Sequence, residues 1–124
     1  MRASILKQKE FLIASIQGAM SDADLVDLRE ELSSSVRRHR SLGVVVDVSA
    51  LDVMDSFAVR TLRGFAQMVR LLGAECIIVG IQPEVAFSMV QMGLRLEGTM
   101  TALDLEEGLA LLEEHSGGDA GGHG

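Results

Sequence analysis

Two short, largely apolar runs constrain this chain more than any other feature. Val44-Val45-Val46-Asp47-Val48 and Ile77-Ile78-Val79-Gly80-Ile81 are brief and rich in β-branched side chains. Runs of that length and composition read as buried strands, since a buried helix needs about ten residues or more. Each run is followed by a turn and then by apolar residues at helical spacing. After Val48, the stretch "SALDVMDS" leads into Ala58, Leu62, Phe65, Val69 and Leu72. Steps of 4, 3, 4 and 3 mark one face of a helix from about Asp55 to Leu72, ended by Gly73. After Ile81, Pro83 sits where a first helical turn tolerates proline, and Val85, Met89 and Met92 carry the stripe to Gly93. Strands alternating with helices predict an α/β fold, with a mostly parallel sheet and right-handed crossovers.

The flanks complete the pattern. Ile5 to Lys7 and Phe11 to Ile16 read as two short strands joined through Gln8-Lys9-Glu10. Ser21 opens a helix with Asp22 and Asp24 in its first turn, where negative charge suits the positive helix end. Leu25, Leu28, Leu32 and Val36 form its apolar stripe, Arg37-Arg38-His39-Arg40 its basic end, and Gly43 its stop. Thr99 to Ala102 reads as a short last strand. Asp104 caps a final helix, with Glu107 three residues on and Leu105, Leu109 and Leu112 facing inward. Residues 116–124, "SGGDAGGHG", have nothing to bury and are expected to be a disordered Gly-rich tail. One domain over residues 1–115 accounts for the rest. With 124 residues it buries about two-thirds of its unfolded surface. Its four aromatic residues are all Phe, so the core must be Leu, Val, Ile and Met.

Charge and residue content remove several function classes. A net charge of −7 opposes nucleic acid and anionic membranes as partners, since both need clustered Lys and Arg. No apolar run approaches the ~20 residues of a membrane span. Lys7, Gln8, Lys9 and Glu10 interrupt the N-terminal apolar residues, so no secretory signal is expected and the cytoplasm is the expected compartment. Cys76 has no partner for an internal disulfide and is expected to be buried and inert. A phosphate-cradling P-loop needs a Lys, and none occurs after Lys9. A dinucleotide fingerprint needs spaced glycines, and "SALDVMDS" has none. A phosphoaspartate receiver needs that late Lys too, and an acidic pair where this chain has Gln17-Gly18. A serine hydrolase needs a His base, but His39, His115 and His123 sit at helix ends or in the tail. Asp47, Asp52 and Asp55 offer oxygen donors suited to Mg²⁺ or Ca²⁺. Acidic residues in such positions more often cap helices and solvate loops. No catalytic residue, metal or cofactor is therefore assigned, and the chain is expected not to be an enzyme.

Ser56 is the candidate functional residue, and two readings of it stay open. Asp and Ser are both favoured N-caps, so capping by Asp55 or by Ser56 accounts for the pair. Phosphorylation accounts for it too, because a helix N-terminus tolerates a phosphate. Arg60 and Arg63 lie four and seven residues on, on the same face, and Gln67 and Arg70 continue the stripe. That face is either a solvated polar surface or a docking surface. Phosphate would add roughly −1.5 to −2 charge beside Asp52 and Asp55, enough to repel an acidic partner without refolding the domain. The candidate contact residues are Asp52, Met54, Asp55, Phe57, Arg60 and Arg63, with Met54 expected at the surface.

The runs "VVVDVSALDVMDSFAVRTL", "CIIVGIQPEVAFSMVQMGL" and "LEGTMTALDLEEGLALLEE" resemble a STAS domain of the anti-anti-sigma-factor type. More narrowly, they resemble the RsbS-type STAS proteins of the bacterial stressosome, over about Ile5 to Glu114. The resemblance implies a STAS fold: a mixed, mostly parallel sheet with helices packed on one side. It implies that Ser56 is the phosphoacceptor of an RsbT-type switch kinase and that an RsbX-type phosphatase reverses the modification. It implies self-association with RsbR-type paralogues in a large assembly that holds the kinase until stress releases it. The domain starts almost at Met1 and its acceptor is Ser, both matching the short S-type rather than the threonine-bearing R-type. Ser88 lies near the second acceptor of R-type proteins and is read as structural. Two alternatives remain. A stand-alone anti-anti-sigma factor usually reads Asp-Ser-Ser-Gly at this turn, whereas Phe57-Ala58 follows the serine here. A small-molecule or metal-binding enzyme subunit would reveal itself in a thermal-shift screen, because a ligand of the native state raises stability.

Overall fold

The computed structural model describes residues 3–18 and 20–115. The elements run β1 (Ala3–Gln8), β2 (Phe11–Ile16), α1 (Asp22–His39), β3 (Gly43–Asp47), α2 (Ser56–Leu71), β4 (Glu75–Val79), α3 (Pro83–Gln91), β5 (Met100–Ala102) and α4 (Leu105–His123). Side chains of α4 are described as far as His115. The expected tail over 116–124 falls outside the described residues.

The five strands lie in chain order across one sheet. β1 and β2 form an antiparallel hairpin, and β2 to β5 run parallel. Each parallel strand adds on the same side of its predecessor. Right-handed crossovers through α1, α2 and α3 therefore deliver all three helices to one face. The core shows it. Leu12, Ala14, Ile16, Val44, Val46, Cys76 and Ile78 pack with Leu28 and Leu32 of α1, Leu62 and Phe65 of α2, and Val85 and Met89 of α3.

Strand side chains alternate, so the other face carries Phe11, Ile13, Val45, Ile77 and Val79. These pack with Leu112, and with Leu105 and Leu109 at its border. The α/β fold is the expected one, but helices packed on one side only is not: α4 covers the opposite face. Among the described residues no strand follows α4, so no crossover fixes its side. A face of five buried β-branched or aromatic residues must be covered by something, and the last helix covers it. Gly108 permits the close approach, because a Cβ there would lie 2.6 Å from Val79 Cγ1.

Ser21 and Asp24 close a reciprocal capping box, each backbone N–H donating to the other's side chain at 3.1 Å. The stop of α1 is not Gly43. Arg40 takes the left-handed conformation (φ 50°) and ends the helix, while Gly43 opens β3. At the last helix Glu107 N–H donates to Asp104 Oδ1 at 2.9 Å, and Glu107 Oε1 accepts from Leu103 N–H at 2.9 Å. β4 starts two residues earlier than its apolar run and ends at Val79, because Gly80 turns the chain with φ +80°.

Candidate functional site

The C-terminal ends of β3 and β4 open into two loops that lie side by side. Loops held by a rigid scaffold commonly carry binding residues. Val48 N–H extends the ladder to Val79 O at 3.0 Å, so the loops leave the sheet together. Gly80 makes their contact possible. A Cβ at this position would stand 2.8 Å from Ser49 Cβ, and the positive φ is itself a glycine conformation. Gln82 then ties the loops: its Nε2 donates to Ser49 O at 2.8 Å and to Asp52 Oδ1 at 3.3 Å.

Leu51 N–H donates to Val48 O at 2.9 Å, which curls the β3–α2 loop back on itself. Leu51 and Met54 both turn into the core. Met54 is 4% exposed, and Val53 beside it is 75% exposed. The expected surface position of Met54 is therefore corrected. The curl places Met54 under the loop, among the core side chains. Asp52 and Asp55 are exposed, Phe57 is half-buried, and Arg60 is exposed.

The three carboxylates do not converge. Asp47 Oδ1 accepts from Ser49 N–H at 2.9 Å, Asp52 holds Gln82, and Asp55 Oδ1 accepts from Ala58 N–H at 2.8 Å. Among the described residues no group of three or more His, Cys, Asp or Glu could hold a metal ion. Asp55 is thus the N-cap of α2, with extended backbone (φ −84°, ψ 179°). Ser56 is the first helical residue, half-buried, and its hydroxyl takes no part in the cap. The two capping readings left open by the sequence resolve in favour of Asp55.

Ser56 lies on the rim of an open cleft of about 270 Å³, lined also by Arg60, Arg63, Arg95 and Glu97. Arg63 Nη1 donates to Arg95 O at 3.1 Å, and Arg70 Nη1 to Gly98 O at 3.2 Å. The stripe of arginines on α2 thereby holds the segment between α3 and β5 against the helix. Arg63 and Arg70 anchor structure as well as carrying charge. Arg95 and Gln82 were not legible as site residues from the sequence. Arg95 follows Gly93 in a segment without periodicity, and only the closure of the fold brings it to Ser56. Gln82 was visible as part of "GIQPEVA", but its partners lie some thirty residues away.

Ser88 is exposed on the outer side of α3, between the exposed Phe87 and the buried Met89. Cys76 is buried in the face covered by α1, α2 and α3, and its thiol is pushed up from 9.0 to about 12, by burial first and by the Glu75 charge second. No helix among the described residues is long and apolar enough to cross a membrane.

Comparison with known proteins agrees with this geometry. The model of the STAS domain family matches residues 2–107. RsbS from Moorella thermoacetica, solved with a serine exchanged for glutamate, has a TM-score of 0.80 and 34% identity, covering 94% of this chain and 98% of that one. A chain of the stressosome, described there as a signal integration and transduction hub, has a TM-score of 0.73 and 32% identity, covering 91% of this chain and 98% of that one. The RsbT co-antagonist protein RsbRA of Bacillus subtilis is 33% identical over 82 residues, which are 66% of this chain and 30% of that relative's length.

Proposed function

This chain belongs to the STAS domain family and is of the RsbS type, and on that premise we propose that it is a non-catalytic scaffold of a stressosome-like assembly, phosphorylated on Ser56 to release a serine/threonine switch kinase of the RsbT type. The observation that carries the reading is the Ser56 hydroxyl. Asp55 caps α2 and leaves that hydroxyl without a structural task, on the rim of a cleft at the C-terminal edge of the sheet. Arg60 and Arg63 line that cleft with it, and these two with Asp52, Asp55 and Phe57 of the same loop and helix are the proposed partner contacts.

The relatives support the assembly. One is a stressosome chain, and another is named as a co-antagonist of RsbT. Association with RsbR-type paralogues and with further copies of this chain is proposed on that ground. The proposed compartment is the cytoplasm, and the proposed reversal is by an RsbX-type phosphatase. In the forward step, the kinase transfers the γ-phosphoryl group of ATP to Ser56 Oγ. The new Oγ–P bond forms as the bond to ADP breaks, and the hydroxyl proton leaves to the kinase base. A charge change of this kind at an exposed rim typically alters partner affinity by about 1–3 kcal/mol, or roughly 5–150-fold.

The test is incubation with the cognate kinase and ATP, followed by mass-spectrometric site mapping. Phosphate is expected on Ser56, and Ser56→Ala should abolish its incorporation. Undiminished labelling of that variant overturns the reading. The phosphorylated protein should retain a native-like circular dichroism spectrum while binding the kinase more weakly at low salt.

A further inference from the structure

We propose that the cleft beside Ser56 is an intramolecular phosphate site, in which Arg60 and Arg95 close on phosphorylated Ser56 and tie the segment between α3 and β5 to the start of α2. The inference rests on the phosphorylation proposed above, but its chemistry is local to this chain.

Four observations lead to it. First, three guanidinium groups and one carboxylate line the cleft with Ser56, although the chain as a whole carries a net charge of −7. A positive cleft on an acidic protein is where an added phosphate dianion finds partners. Second, side chains on a helix lean toward its N-terminus. Arg60 stands one turn beyond Ser56 and lines the same cleft, so its side chain starts on the side of the hydroxyl. Third, Arg63 is already engaged with Arg95 O. That bond brings the backbone of Arg95 to the helix and leaves its guanidinium free to serve a new acceptor. Fourth, the first N–H groups of a helix lack intrahelical acceptors. Asp55 satisfies Ala58, which leaves the amides of Ser56 and Phe57 for a phosphate oxygen.

Charge-assisted hydrogen bonds to phosphate are about twice as strong as neutral ones, and arginine matches phosphate geometry in a bidentate fork. Glu97 opposes the site and tempers it. Asp52 and Asp55 lie nearby, but Gln82 and Ala58 hold them. The phosphate is therefore not simply extra negative charge on the surface. It fills the basic cleft and masks the guanidinium groups that an acidic side chain of a partner would otherwise meet.

The experiment installs phosphoserine at position 56 during translation, so that no kinase is required. ³¹P NMR titration of the full chain then reads the second ionisation of the phosphate, ordinarily near pH 6. In the unsubstituted chain it should fall by about 0.5–1 unit, because nearby cations favour the dianion. Arg60→Gln and Arg95→Gln should each return at least half of that shift, and Glu97→Gln should deepen it. Both arginines are exposed, so neither substitution opens the core. Amide exchange over residues 92–99 should slow roughly fivefold on phosphorylation, through the new charge-assisted bonds. An ordinary phosphate ionisation, a shift insensitive to both arginines, or unchanged exchange overturns the proposal. Failure of the kinase to label Ser56 would overturn the functional reading instead and leave this result standing.

Discussion

Replacing Asp55 should cost far more than replacing Ser56, although the two are neighbours at the same helix start. Asp55 Oδ1 accepts from Ala58 N–H at 2.8 Å. Asp55→Ala removes that acceptor. Ala58 is only 9% exposed, so water replaces the lost partner poorly. Loss of an N-cap costs about 0.5–2 kcal/mol, and the burial here places the expected value near 1–1.5. In a domain of this size that lowers the melting temperature by about 3–6 °C. Asp55→Asn keeps an acceptor of nearly equal capping strength and should recover most of the loss. What it does not recover is the charge–dipole part, about 0.3–1 kcal/mol at low salt. Ser56→Ala behaves differently. The hydroxyl makes no capping bond, and alanine is the better helix former, so stability should stay within about 0.5 kcal/mol of the parent. Urea denaturation of the four proteins at equal protein concentration measures the series. If Ser56→Ala is as destabilising as Asp55→Ala, the hydroxyl has a structural task and the central observation fails.

Two other predictions follow from the core. Gly108→Val should destabilise the fold by about 1–3 kcal/mol in urea, because its Cβ would stand 2.6 Å from Val79 Cγ1 and overpacking outweighs the gain in helix propensity; a variant as stable as the parent would mean that α4 does not sit on that face. Cys76 should resist a thiol reagent at pH 8 in the native state and react once urea unfolds the chain. Its folded pKa is raised from 9.0 to about 12, so the associated stability is complete below about pH 9 and is lost as pH rises toward 12. Rapid native labelling, or stability flat across that alkaline window, would contradict the burial.

Much of this protein was legible in the sequence by itself. The β-branched runs at Val44 and Ile77, the stripe from Ala58 to Val69 and the capping residues at Ser21 and Asp104 each follow from chemistry within a few residues. Local backbone preference and hydrophobic period act at that range, and these elements lie within about two residues of their expected places. The α/β alternation then left few topologies to choose from. What the sequence could not decide depends on residues far apart in the chain. Met54 looks surface-bound beside Ser56, yet the curl of its loop drives it inward with Leu51. Arg95 and Gln82 reach the site only because the strands set their loops side by side. The face taken by α4 follows no local rule. It depends on which side of the sheet α1, α2 and α3 left uncovered, and on Gly108, whose missing side chain lets the last helix lie against Val79.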